Sequence, residues 1–87
     1  MSASIATTST YQFPNLADIS QTGAMLRGSR LPPTGSTALL KAGPLQVLCT
    51  VVWVKGEQCG VRFDEAVTPA ILNQVHREGA VVLKVSE

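Results

Sequence analysis

With 87 residues, 45% of them hydrophobic, the chain makes one domain with enough apolar material for a core without metal or disulfides. A net charge of +1 and the lack of any basic run remove the electrostatic footprint that DNA or RNA binding requires. No apolar stretch reaches the ~20 residues that span a bilayer, so membrane insertion is not expected.

Residues 1–10, MSASIATTST, have no positive n-region and no apolar h-region, so they do not form a secretory signal. They read as a Ser/Thr/Ala-rich tail or a loose edge strand. Residues 1–13 are therefore expected as a flexible tail or edge strand, and residues 14–87 as the single folded domain. Residues 15–19 and 24–26 read as two strands joined by a tight Ser-Gln-Thr-Gly turn. Pro and Gly punctuate a loop over residues 28–35, and residues 36–41 resume as a strand.

Ala42-Gly43-Pro44 turns the chain into its strongest strand signal, LQVLCTVVWV at 45–54. So apolar a strand is expected to be covered on both faces along part of its length. Another turn at 55–58 leads to a return strand over 59–63. A two-residue tip at Gly56-Glu57 sets Val54 opposite Cys59 and Trp53 opposite Gly60. That register puts Cys49 about 16 Å along the strand from Cys59's partner, beyond disulfide reach. Both cysteines then read as buried thiols in a reducing compartment, which makes the cytoplasm the expected location. With a single His and no CxxC, there is no zinc signature.

Thr68-Pro69 has the form of a helix start, a hydroxyl cap before Pro at the first helical position. Ile71, Leu72 and Val75 form an apolar stripe expected to pack on the barrel mouth. His76 and Arg77 suit the negative end of the helix dipole, and Gly79 suits its termination. Residues 80–85, AVVLKV, read as a last short strand. The sum is a mainly β protein: a small antiparallel six-stranded β-barrel with one C-terminal α-helix.

The segment DISQTG, Asp18 to Gly23, carries the candidate chemistry. Strict alternation would put Asn15, Ala17 and Ile19 on one face and Leu16, Asp18 and Ser20 on the other. Asp18 and Ser20 would then offer a carboxylate and a hydroxyl side by side. A carboxylate accepts two parallel hydrogen bonds, which matches the adjacent N–H donors of a guanine edge. Gly23 permits either an unusual turn geometry or the close approach of a flat ligand. The same residues also serve as ordinary turn chemistry, with Asp18 or Ser20 accepting from backbone N–H groups. Trp53 is expected to cap the barrel core, and Met25 to lie in it.

Four blocks in order resemble the PilZ domain family over about residues 14–64: DISQTG; Ala24-Met25-Leu26; the loop Leu31-Pro32-Pro33-Thr34-Gly35; and Val51-Val52-Trp53 followed by Gly60-Val61-Arg62-Phe63. The resemblance implies a small β-barrel with a helix near its C-terminus and a non-catalytic role as a bacterial receptor for cyclic di-GMP. By position it assigns ligand contact to Asp18, Ser20 and Gly23. The family's other half is an RxxxR motif upstream of DxSxxG, whose arginines grip phosphate and stack on guanine. Here no Arg or Lys precedes Arg27. Arg27, Arg30 and Arg62 are the possible accessory cations, although each also reads as a solvated surface residue.

No nucleophile–base pair, paired carboxylates, phosphate loop or metal cluster suggests catalysis, and no cofactor is expected beyond cyclic di-GMP as candidate ligand. Two functions follow. One is a PilZ-type signalling module that receives cyclic di-GMP and acts on a protein partner. The other is a ligand-independent adaptor working through protein–protein contacts in pilus, motility or biofilm control. A small nucleic-acid-binding barrel would need exposed aromatics and cations that this sequence lacks.

Overall fold

The computed structural model describes residues 1–77. Gly79 and the strand expected at 80–85 lie outside the described residues. Seven strands and one helix follow in order: β1 (Ser4–Ala6), β2 (Tyr11–Gln12), β3 (Asn15–Ile19), β4 (Gly23–Arg27), β5 (Thr37–Ala42), β6 (Leu45–Lys55), β7 (Gln58–Phe63) and α1 (Pro69–Arg77). Alternation shapes most of them. Along β5, Ala38, Leu40 and Ala42 are buried, while Thr37 and Lys41 face water. All pairings are antiparallel, in the order β2-β1-β5-β6-β7-β4-β3.

The residues ahead of β1 also reach the start of β3. Ser2 bridges Asn15, supported by hydrogen bonds from Ala3 N to Pro14 O at 3.0 Å and from Leu16 N to Met1 O at 2.7 Å. Ile5 faces Gln12 and Ala6 faces Tyr11 in the same register. β2 and β3 are therefore one line of backbone, interrupted at Phe13-Pro14, because Pro has no N–H to give to a ladder. Five of the six expected strands fall within the described residues and are present as β3–β7; β1 and β2, from the segment expected as a tail or edge strand, bring the number to seven.

Residues 1–13 are woven into this sheet. β1 lies between β2 and β5, and Ile5 is completely buried. Its neighbours are too polar and too small to announce a strand, and the one large apolar residue does the anchoring.

The β6–β7 hairpin has the expected register. Lys55 pairs with Gln58, Val54 with Cys59 and Trp53 with Gly60, and Gly56 takes a left-handed φ of 61° at the tip. Cys49 pairs with Phe63, and both cysteines are free and buried. Coverage of β6 on both faces is not observed: Leu48, Val52, Trp53 and Val54 are all exposed. The helix packs near the start of β6, away from these exposed residues. Val75 is fully buried, with Ile71 and Leu72 partly buried against the core. Thr68 caps it, its Oγ1 accepting from Ile71 N at 3.2 Å, ahead of Pro69.

Two bulges break the alternation. One falls between Leu16 and Asp18 on β3, the other between Val51 and Trp53 on β6. A bulge adds one residue and re-aims the side chains that follow. On β3 it allows Leu16 and Ile19 both to be buried, whereas strict alternation sets Leu16 on the polar face. On β6 it turns the adjacent Val52 and Trp53 both outward, while Val51 stays buried.

Candidate ligand-binding site

The register places side chains in rows across the outer surface. Asp18 faces Met25, Met25 faces Gly60, and Gly60 faces Trp53, so one row crosses β3, β4, β7 and β6. A groove of about 280 Å³ lies along this row, bounded by Asp18, Ser20, Met25, Val52, Trp53 and Gly60. Its carboxylate and hydroxyl are at one side and its indole at the other.

Each boundary has a local cause. The β3 bulge presents Asp18 outward after Leu16 has gone in. The β6 bulge brings Val52 and Trp53 to the same surface. A Cβ at Gly60 would collide with Trp53 Nε1, so only the bare glycine lets the indole lie there. Trp53 is 39% exposed, and Met25 is half-buried within the groove wall. Neither belongs to the core, contrary to expectation, because both sit on outward rows of the register.

The DISQTG turn is held by Ser20. Ser20 Oγ accepts from Thr22 N at 3.3 Å and Gly23 N at 3.2 Å, and Ser20 N donates to Gly23 O at 2.8 Å. Ser20 thus fulfils the turn role while still bordering the groove. Gln21 O accepts from Val67 N at 2.9 Å, and Thr22 O accepts from Phe63 N at 2.8 Å, which ties the turn to the segment before α1. Gly23 is needed for space rather than for an unusual φ. The described glycines with positive φ are Gly35, Gly43 and Gly56. A Cβ at Gly23 would stand 2.5 Å from the Val61 carbonyl oxygen.

The three arginines separate. Arg62 faces outward on β7, opposite Gly23. Arg27 is exposed at the end of β4, opposite Asn15 and Gln58, so it belongs to a strand and not to the following loop. Arg30 borders a small hollow with Phe13 and Pro14 that shares no residue with the groove.

Asp18, Ser20 and Gly23 are thus brought together as the sequence suggests. Val52, Trp53, Met25 and Gly60 complete the groove. The hairpin register already pairs Trp53 with Gly60; what sequence alternation misses is the outward direction that the bulge imposes.

Among the described residues, no group of three metal-ligating side chains is present, and no helix is long and apolar enough to cross a membrane. Fold and groove together define a small antiparallel β module with a surface hollow bordered by a carboxylate, a hydroxyl and an indole. The PilZ domain family matches residues 2–78, and the chain belongs to that family of non-catalytic domains, which implies cyclic di-GMP as a ligand. No curated protein and no solved structure matches the chain.

Proposed function

We propose that this chain is a PilZ signalling module that receives cyclic di-GMP in the outer groove and transmits its presence to a protein partner in the cytoplasm. The observation that carries the proposal is the single row Asp18–Met25–Gly60–Trp53, with Ser20 beside it. The Asp18 carboxylate accepts from two adjacent N–H donors of a guanine edge. Trp53 offers a π face to the base, and Gly60 leaves room beneath the indole. At about 280 Å³ the groove falls just below the ~300–1,000 Å³ typical of ligand pockets, which suits one purine with the rest of the dinucleotide lying over the surface.

The test is calorimetric titration of cyclic di-GMP into the purified chain, with GTP as control. Asp18→Ala and Ser20→Ala serve as variants. Saturable binding weakened by both substitutions supports the receptor. Loss in Ser20→Ala alone points to the turn rather than to ligand contact.

A second reading, the ligand-independent adaptor, draws on a different observation. Tyr11, Ala6, Leu39 and Leu48 face one another in a row across β2, β1, β5 and β6. Tyr11 and Leu48 are 61% and 53% exposed. Such an apolar stripe on a small barrel suits a protein partner in pilus, motility or biofilm control. This reading takes precedence if the titration gives no heat.

A further inference from the structure

A cyclic dinucleotide carries two phosphodiester charges, and Asp18 repels both. A working site therefore needs cations within reach of the groove, and the sequence supplies none ahead of the DISQTG turn. The outward rows of β4 and β7 indicate where they come from. Three successive rows run Arg27 beside Gln58, Met25 beside Gly60, and Gly23 beside Arg62. The middle row is the floor of the groove. Arg27 and Arg62 stand one row to either side of it, both exposed and both on the groove's face of the sheet.

We propose that Arg27 and Arg62 bracket the groove and form the phosphate clamp for a cyclic dinucleotide. The inference rests on the reading of the groove as a cyclic di-GMP site.

A second hollow, of about 370 Å³, extends from the groove toward Arg27. Asp18 and Met25 border both hollows, so the two adjoin, and Arg27 lines the second. An anion whose base lies beside Asp18 has a path along the surface to the Arg27 guanidinium. At the other end, Arg62 is two residues beyond the groove-floor Gly60 and directly across from Gly23 of the motif. From position 58, beside Arg27, to position 62 is four residues of β7, about 13 Å at strand rise. An Arg stem is long and flexible, so from these two register positions both heads have the reach to close on a phosphate lying over the intervening row. Arg remains charged at every accessible pH and grips a phosphate through two parallel N–H donors. Arg30 has no place in this geometry, since its hollow shares no residue with either of the other two.

The experiment compares cyclic di-GMP affinity of the full chain with Arg27→Ala, Arg62→Ala, Arg30→Ala and Asp18→Ala, at low and at high salt. Circular dichroism checks that each variant is folded, which the exposure of all three arginines makes the expected result. Loss of either clamp residue should weaken binding at least tenfold, the scale of a lost charge-assisted hydrogen bond. Arg30→Ala should bind like the parent. Arg27→Lys and Arg62→Lys should fall between parent and Ala, since Lys keeps the charge but loses the fork. Salt should weaken the parent more than either Ala variant. If Asp18→Ala loses binding while Arg27→Ala and Arg62→Ala keep it, the clamp is wrong and the groove stands. If the parent does not bind at all, groove and clamp fall together.

Discussion

The indole of Trp53 fills the space that a side chain at Gly60 would need. The two residues are cross-strand partners in the β6–β7 hairpin, and their contact forms one wall of the groove. Gly60→Ala must push the indole away. Because Trp53 is half-exposed, it can swing outward, so a modest cost of about 1 kcal/mol is expected, at the low end for overpacking. The chain has one Trp, so displacement is read directly as a red shift of its emission. Unchanged emission would mean that the indole does not rest on Gly60.

Gly23→Ala should cost more, although Gly23 is near the surface. The obstacle there is the Val61 carbonyl oxygen, 2.5 Å from the added Cβ, and backbone cannot swing aside. Strain of about 1–3 kcal/mol is expected, concentrated where β4 pairs with β7. Urea denaturation of the two Ala variants side by side tests the order. A Gly23 variant as stable as the Gly60 variant would contradict it.

Ser20 and Asp18 should differ in stability even if both affect binding. Ser20→Ala removes the acceptor for Thr22 N and Gly23 N and should cost about 0.5–1.5 kcal/mol. Asp18→Ala should leave stability within about 0.5 kcal/mol, as is usual for a surface change away from such features. Thermal melts of the two variants give the comparison.

Ile5→Ala tests whether β1 is integral to the sheet. Ile5 is completely buried between β2 and β5, so truncation should cost about 2–5 kcal/mol. That is a large part of the ~5–15 kcal/mol holding a small domain together. A change below 1 kcal/mol in denaturant unfolding would mean that residues 1–6 contribute little to the core.

Burial, with smaller contributions from Asp64 and Cys59, raises the Cys49 thiol from 9.0 to about 11. Burial also raises Cys59, against a lowering hydrogen bond from the Leu26 backbone. Below pH 9 the thiols are protonated in both folded and unfolded chains, and the stabilising contribution is intact. Between pH 9 and 11 the unfolded chain releases the Cys49 proton while the folded chain retains it, so stability falls as pH rises. Cys49→Ala should flatten that alkaline decline in denaturant melts. An identical slope in parent and variant would rule the thiol out as its cause.

How much of this was legible in the sequence varied with the local physics. The β6–β7 hairpin was, because a Gly at the tip of a two-residue turn fixes every pairing back to the first irregularity. The helix start at Thr68-Pro69 was, because cap and Pro are local chemistry. The DISQTG residues were legible as a turn and a candidate site. The two bulges were not. A bulge depends on which partner strand has one residue fewer, and that is a property of the assembled sheet. Leu16 and Trp53 are therefore each expected on the wrong side, while Met25, on the regular strand β4, is expected inside only because it is apolar. β1 was obscured by its small polar residues, since the strand is held by pairing on both edges and by one isoleucine.

The proposed receptor function depends on the DISQTG strand and Trp53 sharing one ligand groove. Because Trp53 is the sole Trp and lines that groove, its fluorescence during titration with cyclic di-GMP is the most direct test. A shared groove gives a saturable change in emission for the parent chain, none with GTP, and a strongly weakened response in Asp18→Ala. Emission that stays flat up to millimolar cyclic di-GMP, or that responds equally in Asp18→Ala, would contradict it.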